Sequence, residues 1–161
     1  YAILLYQPSF FSLKSRKIRM RQYNEVYEYR FKGFKCYYCG DTAQTVDHVP
    51  PLDYVYIYGT EHCSREGIEL IKVPACKECN STILRDVHLV TLEERVQHVY
   101  KGIQKYHKKV MAMANWEEDE LDELGYALRV SIADDVVKKQ WIENRLQYME
   151  DVYDLEDEVD G

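Results

Sequence analysis

The sequence lacks any stretch of about 18 consecutive apolar residues, the minimum for a membrane-spanning helix. It also lacks the marks of a secretory signal peptide, because the apolar N-terminal stretch YAILLYQPSFF is short and has no basic residues in front of it. No internal repeat is visible beyond a paired C-x-x-C motif. The first two absences predict that the protein has no membrane partner, and four cysteines in two C-x-x-C pairs predict a reducing compartment, which makes the cytoplasm the expected location.

A basic excess over the whole chain is absent too, but charge is strongly segregated along it. The net charge is -7, yet residues 1–40 carry eight Lys and Arg against two Glu, whereas residues 114–161 carry four against sixteen acidic residues. Nucleic-acid binding follows local patches rather than net charge, so this function stays open. The acidic end confers solubility in our preferred interpretation; the alternatives are a shield over the basic patches or a dock for a basic partner.

Two basic patches are visible in the sequence. The first alternates in places with apolar residues and is followed by tyrosines, which suits contact with a nucleic-acid backbone. The second lies on a helical segment, away from its apolar stripe. Both patches are equally compatible with a solvated helix face. The first comprises Lys14, Arg16, Lys17, Arg19 and Arg21, and the second comprises Lys101, Lys105, Lys108 and Lys109.

The chain has 161 residues, of which 46% are hydrophobic, the size of one domain with a real core. We predict an α+β fold that is mostly helical. Its expected parts are a basic N-terminal helical arm over 1–35 with its helix at 9–35, a cysteine-bearing unit over 36–88, a helical region over 89–153 and an acidic tail over 154–161.

Within the cysteine-bearing unit, the pattern predicts short strands at 45–50 and 69–73. The segment CKECNSTILR predicts a helix that begins at the second cysteine pair. Residues 52–67 contain turn residues and few periodic apolar positions, so we interpret them as a loop.

The C-terminal half carries helical signals. Thr91 opens a capping box with Glu94, and seven apolar residues then alternate at spacings of four and three through Met113. We interpret this stripe as a core helix in a bundle; the alternative is a dimerising coiled coil. Two more helices are predicted at 117–132 and 134–153. The stripe consists of Leu92, Val96, Val99, Ile103, Tyr106, Val110 and Met113.

Four of the five cysteines form two C-x-x-C pairs, Cys36 with Cys39 and Cys76 with Cys79. This spacing lets a tight turn offer two thiolates to one tetrahedral ion, and the two pairs together predict a structural zinc site. A redox C-x-x-C would need one pair in a βαβ context, which does not fit. Cys63 belongs to neither pair and is expected to be a buried or partly buried thiol.

The stretch TVDHVPP between the pairs contains Asp47 and His48, which a structural zinc site does not need. Adjacent strand residues point to opposite faces, so the two side chains share a site only at a strand end or bulge, which the prolines would promote. Asn80 follows the second cysteine pair directly, and zinc would bring it opposite Asp47 and His48. Two oxygen ligands for a hard cation and an imidazole base would then meet.

The order C-x-x-C, Asp-His followed by Pro, and C-x-x-C-Asn resembles the HNH nucleases of the His-Me finger (ββα-metal) superfamily, and within it the zinc-stapled phage junction-resolving endonucleases. The match covers about fifty residues, from Cys36 to Arg85. The resemblance implies a zinc-stapled ββα-metal finger, flanked by the basic helix and a C-terminal helical bundle. It also implies a bacterial or phage-infected cell as the setting.

The resemblance implies a role for each matched residue. His48 would be the general base, Asp47 and Asn80 the ligands of a catalytic Mg²⁺ or Mn²⁺, and the four paired cysteines the zinc ligands. DNA would be cut to 5′-phosphate and 3′-hydroxyl products. The family's Asn before the second cysteine pair is missing from GIELIKVPAC, which puts the geometry of the His-bearing loop in question. Lys77 and Arg85 flank the finger helix and are candidate phosphate contacts.

The expected function is therefore a metal-dependent DNA endonuclease. An inert zinc-finger module that binds nucleic acid or protein is the first alternative, and an assembly protein whose long helices dimerise is the second. Cleavage of both DNA strands would require a homodimer, through the 91–113 helix or through the C-terminal helices.

Overall fold

The computed structural model describes residues 24–25 and 34–155, and within them the protein is α+β and mostly helical. None of the described helices is both long and apolar enough to cross a bilayer. The elements in chain order are β1 (Asn24–Glu25), β2 (Thr45–Val49), α1 (Leu52–Tyr58), α2 (Thr60–Arg65), β3 (Ile71–Ala75), a π-helical turn (Cys79–Ile83), α3 (Leu92–Tyr106), α4 (Lys108–Met111), α5 (Glu118–Asp122) and α6 (Tyr126–Tyr153).

The three strands form one sheet in the order β1-β3-β2. Strands β2 and β3 pair antiparallel without interruption, from Thr45 opposite Ala75 to Val49 opposite Ile71. The strand predicted at 45–50 is present as β2. The strand predicted at 69–73 is present as β3 but lies two residues further along the chain than expected. Proline lacks the backbone N–H of a strand ladder, yet Pro74 lies within β3, where it is the partner of Val46 on β2.

The predicted loop over 52–67 is wrong, because this segment folds into α1 and α2. Gly59 joins the two helices with a φ of 82°, a left-handed conformation that glycine adopts at little cost. Val55 and Cys63 are fully buried and form a small second core with neighbouring apolar side chains. Each helix is too short to show a clear period, so the apolar pattern failed to reveal them.

The capping box at the start of α3 is present as predicted. The Thr91 hydroxyl accepts from the Glu94 backbone amide at 3.2 Å, and the Glu94 carboxylate accepts from the Thr91 amide at 3.2 Å. The first part of the apolar stripe faces the chain's own core, where Val96, Val99 and Ile103 are buried against α6. The core-helix interpretation is confirmed for this part, whereas Tyr106 is 64% exposed. The helix ends at Tyr106, and the last part of the stripe lies on α4 and beyond.

The predicted pair of C-terminal helices is wrong. The structure has a short α5 and then one continuous helix of 28 residues, α6, with Gly125 as its N-cap. No proline or glycine interrupts the chain between the two expected helices, so the helix continues through Asp134. The C-terminal half of α6 enters the core through Ile142, Leu146 and Met149.

The basic arm falls largely outside the described residues, together with Lys14, Arg16, Lys17, Arg19 and Arg21. Its predicted helix over 9–35 is wrong at Asn24–Glu25, which form β1 and pair with β3. Residues 156–161 of the acidic tail also lie outside the described part of the chain.

Candidate metal centre and catalytic site

The two C-x-x-C pairs meet in one buried cluster. The sulfur atoms of Cys36, Cys39, Cys76 and Cys79 all lie within 4.8 Å of one another, and this group could hold a metal ion. The Cys39 sulfur lies 3.8 Å from that of Cys76 and 3.6 Å from that of Cys79. Tetrahedral zinc with bonds of about 2.3 Å places its sulfur ligands about 3.8 Å apart, so the cluster has the right size.

Local structure makes each pair a tight turn. Gly40 follows the first pair with a φ of 72°, and its amide donates to the Cys36 carbonyl at 3.0 Å. A Cβ atom on Gly40 would lie 2.7 Å from the ring of Tyr148 on α6, so glycine also permits the helix to approach. In the second pair, the Cys79 amide donates to the Cys76 sulfur at 3.4 Å. Such amide donors stabilise thiolates.

The four thiols of the cluster differ in pKa: hydrogen bonds with neighbouring thiols raise the pKa of Cys36 and of Cys79, which keeps their protons on sulfur until a metal displaces them. Hydrogen bonds from Cys36 and the other two cysteines lower the pKa of Cys39, and the positive charge of Arg145 lowers it further. Thiolates are the form that binds a metal. The guanidinium of Arg145, on α6, lies 3.6 Å from the Cys79 sulfur. Sequence patterns could not identify Arg145 as part of this centre, because it lies 66 residues from Cys79 in the chain.

The side chain of Asp47 points to the interior face of β2. A catalytic site shared with His48 would require both side chains on the same face. The Asp47 carboxylate is buried, accepts from Arg95 Nη1 at 2.5 Å, and also accepts from the Tyr38 hydroxyl. Burial, followed by the charge of Asp47, raises the pKa of Tyr38, so this hydroxyl remains a donor. Asp47 therefore joins β2 to α3 in a buried ion pair.

His48 points to the other face of β2, where Lys72 of β3 is its direct cross-strand neighbour. The imidazole is half-buried. Burial lowers the pKa of His48 below its usual value of 6.5, and the charge of Lys72 lowers it further. The imidazole is consequently neutral at pH 7, the state in which it accepts a proton.

Asn80 lies in the π-helical turn that follows the second cysteine pair. Its side-chain amide donates to the Thr45 hydroxyl at 3.1 Å and to the Val46 carbonyl at 3.0 Å. The thiol cluster thus brings Asn80 against β2, the strand that carries His48. These contacts are made by the amide nitrogen, however, and they lie before Asp47 and His48 in the strand.

The expected Mg²⁺ site on Asp47 and Asn80 does not fit this geometry. The register of β2 is continuous from Thr45 to Val49, so the bulge that would turn Asp47 and His48 toward one site is absent. The Asp47 carboxylate is already neutralised by Arg95. The structure places Asn80 against β2, the strand that carries His48. It does not bring the side chains of Asp47 and His48 to one face of that strand.

The candidate DNA contacts near the second cysteine pair are exposed. Lys77 lies between the second pair of cysteines, and Arg85 follows the π-helical turn and donates to the Ser81 carbonyl at 2.9 Å. The lysines of the second basic patch are exposed as well; they are Lys101, Lys105, Lys108 and Lys109.

Comparisons with protein-family models, with curated proteins and with solved structures found no match. The chemistry of the site is therefore inferred from the properties of its residues alone. A thiol cluster binds a soft metal, a neutral half-buried imidazole accepts protons, and exposed Lys and Arg side chains attract phosphate.

Proposed function

We propose that this protein is a zinc-stapled HNH-type endonuclease that hydrolyses phosphodiester bonds of DNA. In this proposal β2, β3 and the π-helical turn form the ββα-metal finger, and zinc occupies the four-thiolate cluster. One observation supports the proposal most: the cluster packs Asn80 onto the same strand that presents a neutral, half-buried His48 beside Lys72. A zinc module that serves only as scaffold has no need for this arrangement.

The chemistry assigned to the chain is one hydrolytic step. Neutral His48 accepts a proton from water while the water oxygen bonds to phosphorus, and the bond from phosphorus to the 3′-oxygen breaks. The departing 3′-oxygen takes a proton from solvent, which leaves 5′-phosphate and 3′-hydroxyl ends. Lys72, opposite His48 on β3, offers positive charge to the phosphate. Asn80 holds the turn against β2 and is a positioning residue.

A divalent cation such as Mg²⁺ or Mn²⁺ belongs to the HNH resemblance and would neutralise phosphate charge when bound. Asp47 is not a ligand of this cation in our proposal, because its carboxylate is buried on the far face of β2 and paired with Arg95. We assign it the structural role of connecting β2 to α3.

Nicking of supercoiled plasmid tests the proposed activity, with Mg²⁺ or Mn²⁺ supplied and with an EDTA control. The purified chain should convert plasmid to the open circle, and His48→Ala should lower the rate by ~10²–10⁴ because the general base is lost. His98→Ala is the matched control, since His98 is an exposed histidine on α3. Equal rates for wild type and His48→Ala would remove His48 from the mechanism.

A second function, an inert zinc module that binds nucleic acid, is favoured by one observation. The Asp47 carboxylate, expected to be catalytic, is engaged in a buried ion pair instead. The same plasmid assay separates the two functions when DNA binding is measured beside it. DNA binding without nicking under either cation would establish the inert module.

DNA is the proposed partner of Lys77 and Arg85. Binding through phosphate contacts should weaken steeply as salt rises, with a slope of about -0.9 for each phosphate contact in a plot of log affinity against log salt. Arg85→Ala should make the slope shallower by about one contact. An unchanged slope would place Arg85 outside the interface.

A second copy of the chain is the proposed partner of the exposed N-terminal half of α6. Tyr126, Val130, Val137 and Trp141 share one stripe there, with exposures of 84%, 44%, 69% and 37%. In an antiparallel pairing with Val130 opposite Trp141, Asp134 would lie beside Lys138 of the other copy, so the charges would be complementary. Light scattering should show a dimer that Val137→Asp dissociates; a monomeric wild type would refute this pairing.

A further inference from the structure

The four-thiolate cluster is surrounded by charged side chains that no sequence motif indicated. Arg145 of α6 is buried, and its Nη2 lies 3.6 Å from the Cys79 sulfur and 4.0 Å from the Cys76 sulfur. Its Nη1 donates to Glu78, which lies between these two cysteines in the sequence. His107 contacts the other oxygen of Glu78 at 2.8 Å.

The charge balance of this cluster is unfavourable without Arg145. Four thiolates around a divalent ion carry a net charge of two negative units, and the Glu78 carboxylate adds a third. Burying such excess charge is costly unless an opposite charge lies close by. Arg145 provides a positive charge within hydrogen-bonding distance of the sulfur, in the same interior.

We propose that Arg145 is the charge-compensating residue of the metal centre, so that metal binding and the docking of α6 stabilise each other. The ring of Trp141 lies 4.4 Å from the guanidinium carbon, and the carboxylate of Glu78 fixes one side of the same group. These two contacts aim Nη2 at the thiolates. A planar guanidinium satisfies both neighbours and the sulfur atoms at once, which an ammonium group does not.

This inference does not depend on nuclease activity, and its experiment measures metal directly. The full chain is loaded with Zn²⁺, and its metal affinity is measured by competition with a chromophoric chelator. Arg145→Gln should weaken affinity about 10–100-fold, the usual effect of removing a group that supports metal ligands. The absorption of the Co²⁺-substituted protein then reports whether four thiolates still bind.

Three variants separate charge compensation from a merely structural ion pair. Arg129→Gln removes an exposed arginine of the same helix, paired with Asp122, and should leave metal affinity unchanged. Glu78→Gln removes a negative charge but keeps a side-chain oxygen that can accept from Arg145 Nη1, so affinity should equal or exceed that of wild type. Arg145→Lys keeps the charge and should bind more tightly than Arg145→Gln.

Wild-type affinity in Arg145→Gln would overturn the proposal. If Arg145→Gln fails to fold, the metal affinities of Glu78→Gln and Arg145→Lys test the proposal instead. Affinity at or above that of wild type in Glu78→Gln, together with a loss of less than about ten-fold in Arg145→Lys, supports charge compensation. A weaker affinity in Glu78→Gln or a larger loss in Arg145→Lys overturns it.

Discussion

The two faces of β2 show how neighbouring residues acquire different roles. Asp47 faces the interior, where its charge is matched by Arg95 and its oxygen is bonded by Tyr38. His48 faces the other way, half-buried beside Lys72, and its pKa is lowered by that burial and that charge. The Asp-His pair is one motif in the sequence, but in the fold Asp47 is held in a buried ion pair and only His48 keeps the catalytic role that we propose.

This comparison teaches that the identity of a motif residue does not fix its function. A carboxylate with two donors in a buried ion pair is a poor candidate for a cation ligand, because binding an ion would require breaking the pair. An imidazole that burial keeps neutral is prepared for proton transfer. The contrast can be sharpened by perturbing each face separately.

The largest effect is expected when Asp47 loses its cationic partner. Arg95→Met leaves a buried carboxylate uncompensated, so the free energy of unfolding of the metal-loaded protein should fall by about 3–5 kcal/mol. Urea unfolding followed by circular dichroism measures this. Asp47→Asn/Arg95→Met removes both charges and should recover part of the loss. If Arg95→Met is as stable as wild type, Asp47 is not held by this pair.

A smaller effect is expected at the second donor to Asp47. Tyr38→Phe keeps the buried ring but removes the hydroxyl that donates to the carboxylate, so the free energy of unfolding should fall by about 1.5–3 kcal/mol. The same urea titration measures it. Tyr56→Phe is the matched control, because Tyr56 is exposed. A loss no greater than that of the control would show that the hydroxyl contributes little.

The smallest effect is expected from the protonation of His48. Its pKa in the folded chain is lowered from 6.5, so protons bind more readily to the unfolded chain. Stability from this group is therefore complete above about pH 6.5 and is lost as the pH falls through the folded pKa. Urea unfolding at about pH 5 and pH 7 should show a smaller pH difference in His48→Ala than in wild type. Equal differences in both would contradict the assigned burial.

Some of this architecture could be predicted because its signals are local. The C-x-x-C spacing, the Thr91 capping box and the apolar stripe of α3 each depend on residues within a few turns of one another. The helices α1 and α2 escaped prediction because two short helices with a glycine between them resemble a loop. The sequence did not predict that α6 is continuous, because Asp134 resembles the start of a new helix.

The partners of the site escaped prediction for a different reason. Arg95 meets Asp47 across 48 positions, and Arg145 meets Cys79 across 66. Only tertiary packing brings such residues together, and each arginine looks like an ordinary helix charge in the sequence. The Asp-His motif alone predicts a cation ligand at Asp47 because the sequence does not reveal this competing partner.

The division of β2 into a structural and a reactive face is tested most directly by plasmid nicking at equal zinc content. The nicking rate per folded molecule is compared among wild type, His48→Ala and Asp47→Asn/Arg95→Met. Circular dichroism measures the folded fraction of each. We expect the double variant to retain nicking, and His48→Ala to lose ~10²–10⁴ of the rate. Loss of nicking in the double variant to the level of His48→Ala would contradict the account and return Asp47 to the catalytic site.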